Sequence, residues 1–178
     1  MIQLRLRRGV AVDVIEKRME EIRMLENALI CLALNIYHEA RDQPILGMQA
    51  VAEVVLNRVE DKRFPDTVCE VVTQGPTYRW KQDFPVRHRC QFSWYCDGKS
   101  DRPKNGTAWA VSRTVAENVL RTGPIGIAGY ATHYHNIHVR PNWSSTKVLI
   151  GKIGDHVFYR WAIDNALDNT KVTPYINK

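Results

Sequence analysis

The sequence predicts an α+β fold that is mainly α. Three stretches carry apolar residues at the spacing of a buried helix face, over residues 25–40, a segment opened by Pro44, and residues 107–122. Residues 130–135 and 156–161 are rich in aromatic and β-branched side chains, which predicts two short strands. At 178 residues the chain is long enough for one hydrophobic core and too short for two full domains.

Residues 1–24 carry many charges among scattered aliphatic side chains. This predicts an amphipathic helix or a loosely docked arm before a single domain at residues 25–178. The early arginines are followed by a short apolar stretch that Asp13 interrupts, so no cleavable signal peptide is predicted. The longest apolar run, residues 28–36, is far below the roughly twenty residues that span a bilayer, so no stable membrane insertion is expected.

Each core helix has a recognisable start or end. The first ends near Ala40, the second opens at Pro44, and the third stops before Gly123 and Pro124. The predicted buried positions are Leu25, Ala28, Leu29, Leu32 and Ile36 in the first helix, Ile45, Met48, Val51, Ala52, Val55, Leu56 and Val59 in the second, and Ala108, Val111, Val115 and Val119 in the third.

Helical periodicity disappears between residues 75 and 106. This segment contains several prolines, many cations and the aromatic residues Trp80, Phe92 and Trp94. Loops of this length in compact domains are usually functional or disordered, and disordered tracts are poor in aromatic residues. A functional loop is therefore predicted.

The four cysteines fall into two groups. Cys31 lies within a helical apolar pattern and is predicted to be a small core residue. Cys69, Cys90 and Cys96 flank polar, loop-like sequence, and Cys90 and Cys96 are too far apart for a zinc knuckle. A disulfide among these three is predicted, with the pairing left open.

Glu39 follows the run of core residues where the first helix gives way to a turn. Such a side chain can point into a cleft with a partly apolar wall. Burial of this kind disfavours the carboxylate and raises the pKa, as a general acid for glycoside cleavage requires near neutral pH.

Seven sequence blocks resemble the spore cortex-lytic enzyme family of cell-wall hydrolases, in the family's order. They read LNIYHEAR at 34–41, GMQAVA at 47–52, VVLNRV at 54–59, RFPDTVC at 63–69, CQFSW at 90–94, ATHYH at 131–135 and IGDHVFY at 153–159. The resemblance implies a lysozyme-like helical domain with a small β portion. It also implies cleavage of peptidoglycan glycan strands between N-acetylmuramic acid and N-acetylglucosamine, by a muramidase or a lytic transglycosylase.

In that family the glutamate of the first block is the catalytic acid, which implies this role for Glu39. Ordinary glycosidases use two carboxyl groups. Asp42 is expected to turn away at the helix end, and Glu53 to lie on a different face of the second helix from Met48, Val51 and Val55. A single carboxyl favours the transglycosylase pathway, and neither a metal nor another cofactor is expected.

Further blocks of the family offer contacts for the glycan. Gln91, Ser93 and Trp94 combine an amide, a hydroxyl and an aromatic face, which suit N-acetyl groups and sugar rings, whereas Phe92 is expected to anchor the loop in the core.

The block at 131–135 adds a second group of candidates. Tyr134 and His135 lie near the end of a predicted strand, where they could orient Glu39 or bind the glycan. His133 is expected on the other side of that strand, in a structural role.

One alternative is a zinc-dependent peptidoglycan amidase or peptidase. His133, His135 and His138 could act as ligands together with Glu39 or His38. No HExxH helix accompanies them, which argues against this alternative.

A second alternative is a basic nucleic-acid-binding module. The chain carries 25 Lys and Arg against 19 Asp and Glu, a net charge of +6, which suits any polyanionic partner. Cations at positions 79, 81, 87, 89, 99, 102 and 104 alternate with aromatic residues, as in single-strand binding surfaces. The same charge suits an anionic cell wall and no nucleic-acid motif is present, so nucleic acid is not the expected partner.

The expected site of action is the bacterial cell wall or periplasm. A compact basic monomer with no signal peptide or wall-binding repeat suggests a phage lysin made in the host cytoplasm. A shortened bacterial hydrolase would give the same sequence pattern, so that origin stays open.

Overall fold

The computed structural model describes the backbone of residues 2–162 and the side chains of residues 12–162. Within this range the helices are α1 (Ile2–Ala40), α2 (Ile45–Glu60), α3 (Val68–Val72) and α4 (Gly106–Thr122). The strands are β1 (Thr77–Tyr78), β2 (Lys81–Pro85), β3 (His133–Asn136), β4 (Val148–Ile153) and β5 (His156–Arg160). Short 3-10 turns cover Ser93–Cys96 and Asn142–Thr146. The predicted α+β, mainly α fold class is confirmed.

Helix α1 is continuous across the predicted boundary between residues 24 and 25. Side chains 12–27 are exposed, and packing against the rest of the molecule begins at Ala28 and Leu29. Of the two alternatives for the N-terminal segment, an amphipathic helix or an arm, residues 2–24 form a helix that continues into the core helix. Residues 163–178 of the predicted domain lie outside the described residues. Between residues 2 and 162 no helix has the length and apolar character needed to cross a membrane.

The core lies where α1, α2 and α4 meet one strand of the sheet. Leu32 and Ile36 of α1, Val51 and Val55 of α2, and Phe158 of β5 are fully buried. Most predicted core positions are confirmed, but two are wrong. Leu25 is 65% exposed because it precedes the packed part of α1, and Ile45 is 51% exposed because it is the first residue of α2.

A three-stranded antiparallel sheet, ordered β3-β5-β4, packs against the helices. His133 pairs with Tyr159 and Tyr134 with Phe158, which fixes the side of the sheet that each residue faces. The sequence patterns indicated β3 and β5 but not β4, which is largely exposed along one edge. The β1–β2 hairpin inside the predicted functional loop was also not anticipated.

Two disulfides are formed, Cys31–Cys69 and Cys90–Cys96. Cys31 packs against the core as predicted, but its bond to Cys69 was not anticipated. Helix α3 places Cys69 beside α1, and α3 gave no clear periodic signal. The predicted bond among the three loop cysteines is present as Cys90–Cys96, which closes the loop that carries Phe92 and Trp94.

Candidate active site

Glu39 lies in the last turn of α1, one residue before the helix ends at Ala40. The Tyr134 hydroxyl donates a hydrogen bond to Glu39 Oε2 over 3.1 Å, and it is the one hydrogen-bond partner of this carboxyl within the described part of the chain. Burial raises the pKa of Glu39, while the Tyr134 hydrogen bond and the Arg58 charge act in the opposite direction. This environment holds a proton on Glu39 above the usual pH range of a glutamate.

Tyr134 is fixed by packing on the inner side of the sheet. Its ring lies 5.7 Å from that of Phe158 and 5.1 Å from that of His156. Burial, followed by the neighbouring Glu39 charge, raises the pKa of Tyr134 well above that of a free phenol. Tyr134 therefore stays a neutral hydrogen-bond donor toward Glu39.

Three polar residues of α2 hold the loop that leads into β3. Both Glu53 oxygens accept backbone N–H groups, from Ile125 and Ala128, at 2.8 Å. The Asn57 amide donates to the carbonyls of residues 129 and 131 at 2.9 Å, and Arg58 Nε donates to the carbonyl of residue 132 at 2.8 Å. These bonds set the position of β3, and with it Tyr134, relative to Glu39.

The turn after α1 is tied to the β4–β5 hairpin. Gln43 Oε1 accepts the backbone N–H of Asp155 at 2.8 Å, and Gln43 Nε2 donates to the Asp155 carboxylate at 3.2 Å. The end of α1 therefore has a second attachment to the sheet, besides the bond between Glu39 and Tyr134.

The loop at residues 90–96 packs along the same helix. Trp94 Nε1 donates to the buried Asn35 Oδ1 at 3.2 Å, and the indole stacks on His38 with ring centroids 4.5 Å apart. Phe92 is 3% exposed, as expected for a core anchor. Gln91 and Ser93 are exposed on either side of it.

Tyr134 and His135 face opposite sides of β3. His133 and His135 both contact Trp143 and share the outer side, which differs from the expectation that His133 alone would lie there. Side chains in a regular strand alternate, so only one of two adjacent residues can reach Glu39. His135 Nε2 instead lies 3.1 Å from the Tyr159 hydroxyl oxygen. Binding of the glycan by His135 stays a prediction.

The histidines do not assemble a metal centre in the described part of the chain. No group of three or more His, Cys, Asp or Glu side chains is arranged to hold an ion among residues 12–162. Burial and the nearby cations lower the pKa of His133 to about 4, and its ring packs among Phe64, Trp143 and Trp161.

Two further carboxylates, Asp42 and Glu53, have different surroundings from Glu39. Asp42 is exposed in the turn after α1. Glu53 is only 1% exposed, and its two oxygens are occupied by backbone N–H groups. Glu53 thus serves the loop before β3.

Sequence reasoning missed the roles of Glu53, Asn57, Arg58 and Gln43. Asn57 and Arg58 belong to the block at 54–59, so their presence in the resemblance was a signal. Their partners are backbone carbonyls more than 70 positions away, which no local pattern reveals.

Comparisons with known proteins agree with this architecture. The sequence profile of the family described as Cell Wall Hydrolase matches residues 42–159, beginning just after Glu39. The chain is 30% identical to a spore cortex-lytic enzyme of Bacillus cereus over 133 residues, 75% of this chain and 44% of the relative. It is also 30% identical to that of Halalkalibacterium halodurans over 134 residues, 75% of this chain and 34% of the relative. This chain thus spans less than half the length of these relatives.

Solved structures show the same fold. The catalytic domain of the germination-specific lytic transglycosylase SleB from Bacillus anthracis has 28% identity and a TM-score of 0.57, covering 75% of this chain and 94% of that one. The catalytic domain of the Bacillus cereus SleB protein has 28% identity and a TM-score of 0.56, covering 76% and 91%.

Proposed function

Because the chain belongs to the cell wall hydrolase family, we propose that it cleaves peptidoglycan glycan strands between N-acetylmuramic acid and N-acetylglucosamine. The observation that carries the proposal is the partly buried Glu39 carboxyl, which accepts a hydrogen bond from Tyr134 at the end of α1. The raised pKa of Glu39 suits a group that must donate a proton near neutral pH. The relation to the SleB lytic transglycosylase supports a glycan-cleaving reaction.

The proposed reaction is a lytic transglycosylation. Glu39 donates its proton to the glycosidic oxygen, and the bond from that oxygen to the muramic anomeric carbon breaks. Glu39, now a carboxylate, accepts the proton of the muramic C6 hydroxyl as that oxygen bonds to the anomeric carbon. Water is not consumed, and the acid form is restored. The placement of Asp42 and Glu53 supports a pathway with one carboxyl group.

The glycan is proposed to lie beside Glu39 and the loop at 90–96. Gln91 and Ser93 are exposed there for hydrogen bonds, and the half-buried Trp94 offers an aromatic surface. Tyr134 orients the acid. His135, on the outer side of β3, is proposed to contact the glycan beyond the reacting sugars.

The proposed site of action is the bacterial cell wall, reached by a monomer. The two disulfides fit a compartment outside the reducing cytoplasm. The net charge of +6 suits an anionic cell wall, and the proposed origin is either a phage lysin or a bacterial hydrolase. The family match gives no support to the zinc-dependent or nucleic-acid-binding alternatives.

Mass spectrometry of muropeptides released from purified sacculi in oxygen-18 water tests the reaction. We expect products that end in 1,6-anhydro-muramic acid, lighter by one water than reducing ends and free of the heavy oxygen. Heavy oxygen at a reducing muramic end would exclude transglycosylation and indicate a muramidase. Cleavage of stem peptides alone would contradict the proposed function.

A further inference from the structure

Arg58 of α2 is a buried cation. It is 5% exposed, and within the described residues no Asp or Glu oxygen lies within 4 Å of its guanidinium group. Nε donates to the Thr132 carbonyl, whereas Nη1 is buried and has no hydrogen-bond partner among residues 12–162. Burying an unpaired charge is costly, so this arrangement calls for an electrostatic role.

Two aromatic rings enclose the guanidinium group. Its central carbon lies 5.1 Å from the ring centroids of Phe64 and Phe92. Phe92 belongs to the loop beside α1, and Thr132 directly precedes β3. Arg58 is therefore bonded to the chain two residues before Tyr134, whose hydroxyl bonds Glu39, and its charge lowers the pKa of both groups.

We propose that Arg58 is the positioning residue that stabilises the carboxylate of Glu39 once the proton has been donated. This inference rests on the proposed role of Glu39 as the acid. Before donation Glu39 is neutral and the Arg58 charge is unbalanced. After donation the Arg58 cation favours the Glu39 carboxylate, whose charge burial disfavours. A fixed charge directed at a group that becomes ionised during the reaction stabilises that later state selectively.

Other groups near the pair do not supply this charge. Tyr134 stays a neutral phenol, and the pKa of His133 is lowered to about 4, so His133 is neutral at pH 7. Burial also lowers the pKa of His156, which contacts the Tyr134 ring. Arg58 is thus the cation that acts on Glu39 across this part of the described structure.

The test is to measure the pKa of Glu39 directly, by carbon-13 NMR of glutamate-labelled protein, with Glu39→Gln identifying the resonance. The variants are Arg58→Gln, which keeps a donor but removes the charge, and Arg58→Lys, which keeps the charge. Arg113→Met, at an exposed position of α4, is the control. The pH profile of glycan cleavage is recorded beside each titration.

We expect Arg58→Gln to raise the Glu39 titration midpoint by about 1 pH unit, because it removes a nearby opposite charge. The pH at which activity falls on the alkaline side should shift upward by a similar amount, and kcat should fall. Arg58→Lys should titrate closer to the parent protein, and Arg113→Met like the parent. If Arg58→Gln does not fold, Arg58→Met supplies a neutral side chain of similar length.

An unchanged Glu39 midpoint in a folded neutral variant would overturn the proposal and assign Arg58 to packing alone. A second outcome combines a shifted Glu39 midpoint in Arg58→Gln with glycan cleavage that persists in Glu39→Gln. It would leave the electrostatic coupling in place and refute the proposed function of Glu39. The NMR titration thus separates the two ideas.

Discussion

Glu39 is placed where its acid form is favoured and its carboxylate form is still attainable. Burial disfavours the charge, whereas the Tyr134 hydroxyl and the Arg58 cation favour it. Each effect comes from a different element. Burial acts at the end of α1, the Tyr134 hydroxyl belongs to β3, and the Arg58 cation belongs to α2. Such a balance suits the proposed reaction, in which Glu39 both donates and accepts a proton in one turnover.

Trp94 has both a structural contact and a proposed binding surface. The indole donates to Asn35 and one face stacks on His38, yet the side chain is only half-buried. We expect Trp94→Ala to weaken the binding of glycan fragments about tenfold, which corresponds to ~1.4 kcal/mol. Calorimetric titration with purified fragments measures this loss, and thermal unfolding of the same samples measures stability.

Trp109 of α4 is the matched control for this experiment, because its ring contacts Tyr37 and packs against the core. Trp109→Ala should lower Tm with little change in fragment affinity. If Trp94→Ala instead lowers Tm and leaves affinity at the parent level, Trp94 belongs to the core and not to the glycan site.

At the scale of elements, α2 organises the site more than its sequence suggests. Its apolar residues pack in the core, and its polar residues Glu53, Asn57 and Arg58 bind the backbone before β3. Glu53 and Asn57 are one helical turn apart, so they lie on neighbouring parts of one helix surface. The loop they hold has little regular structure of its own, and this helix defines its path.

The two disulfides are expected to have different effects when removed. Cys31–Cys69 connects elements 38 positions apart, whereas Cys90–Cys96 closes a loop of 6. Loop-closure entropy assigns about 4 kcal/mol of stabilisation to the first and about 2 kcal/mol to the second. Paired Cys→Ser variants in each bond, with Tm and glycan-fragment affinity measured for both, test this expectation.

We expect the Cys31→Ser, Cys69→Ser protein to lose more thermal stability. The Cys90→Ser, Cys96→Ser protein should lose more affinity, because this bond constrains the segment that carries Gln91, Ser93 and Trp94. Equal affinity losses in the two proteins would show that the short loop keeps its conformation without the bond.

The elements that sequence periodicity predicted are those with a buried face. The predicted bounds of α2 and α4 are close to the observed ones, because the apolar residues of each helix repeat on the side that faces the core. Helix α3 has 5 residues, too few for a periodic signal, and β4 is largely exposed, so its side chains do not alternate between core and solvent. The pairing of Cys31 depended on α3 and was missed with it.

In the whole molecule, the roles of some site residues could be predicted from their local sequence, whereas those of others depend on tertiary contacts. Glu39 and Tyr134 lay in blocks that carry the family resemblance. The face that each residue of β3 presents depends on its register with β5, and the structure puts His135 outside. The contacts of Arg58 could not be predicted locally, because its partners are the Thr132 carbonyl before β3 and the Phe92 ring of the 90–96 loop.

The stability of a Glu39→Gln protein should reflect the raised pKa of this group. A glutamate whose folded-state pKa is raised contributes stability that is present below its unfolded pKa and lost as pH rises through the folded value. At pH 7 the amide variant should therefore be at least as stable as the parent. This difference should shrink as the pH falls toward about 4, the usual range of a free glutamate.

Lysis of purified sacculi by folded Glu39→Gln protein is the most direct test of Glu39 as the catalytic acid. The exposed Glu60→Gln variant makes the same chemical change away from the site and serves as the control. We predict that Glu39→Gln lowers the rate of turbidity loss by roughly a hundredfold or more while Glu60→Gln keeps the parent rate, because the amide cannot transfer a proton. Near-parent lysis by Glu39→Gln, with an unchanged Tm, would contradict this account.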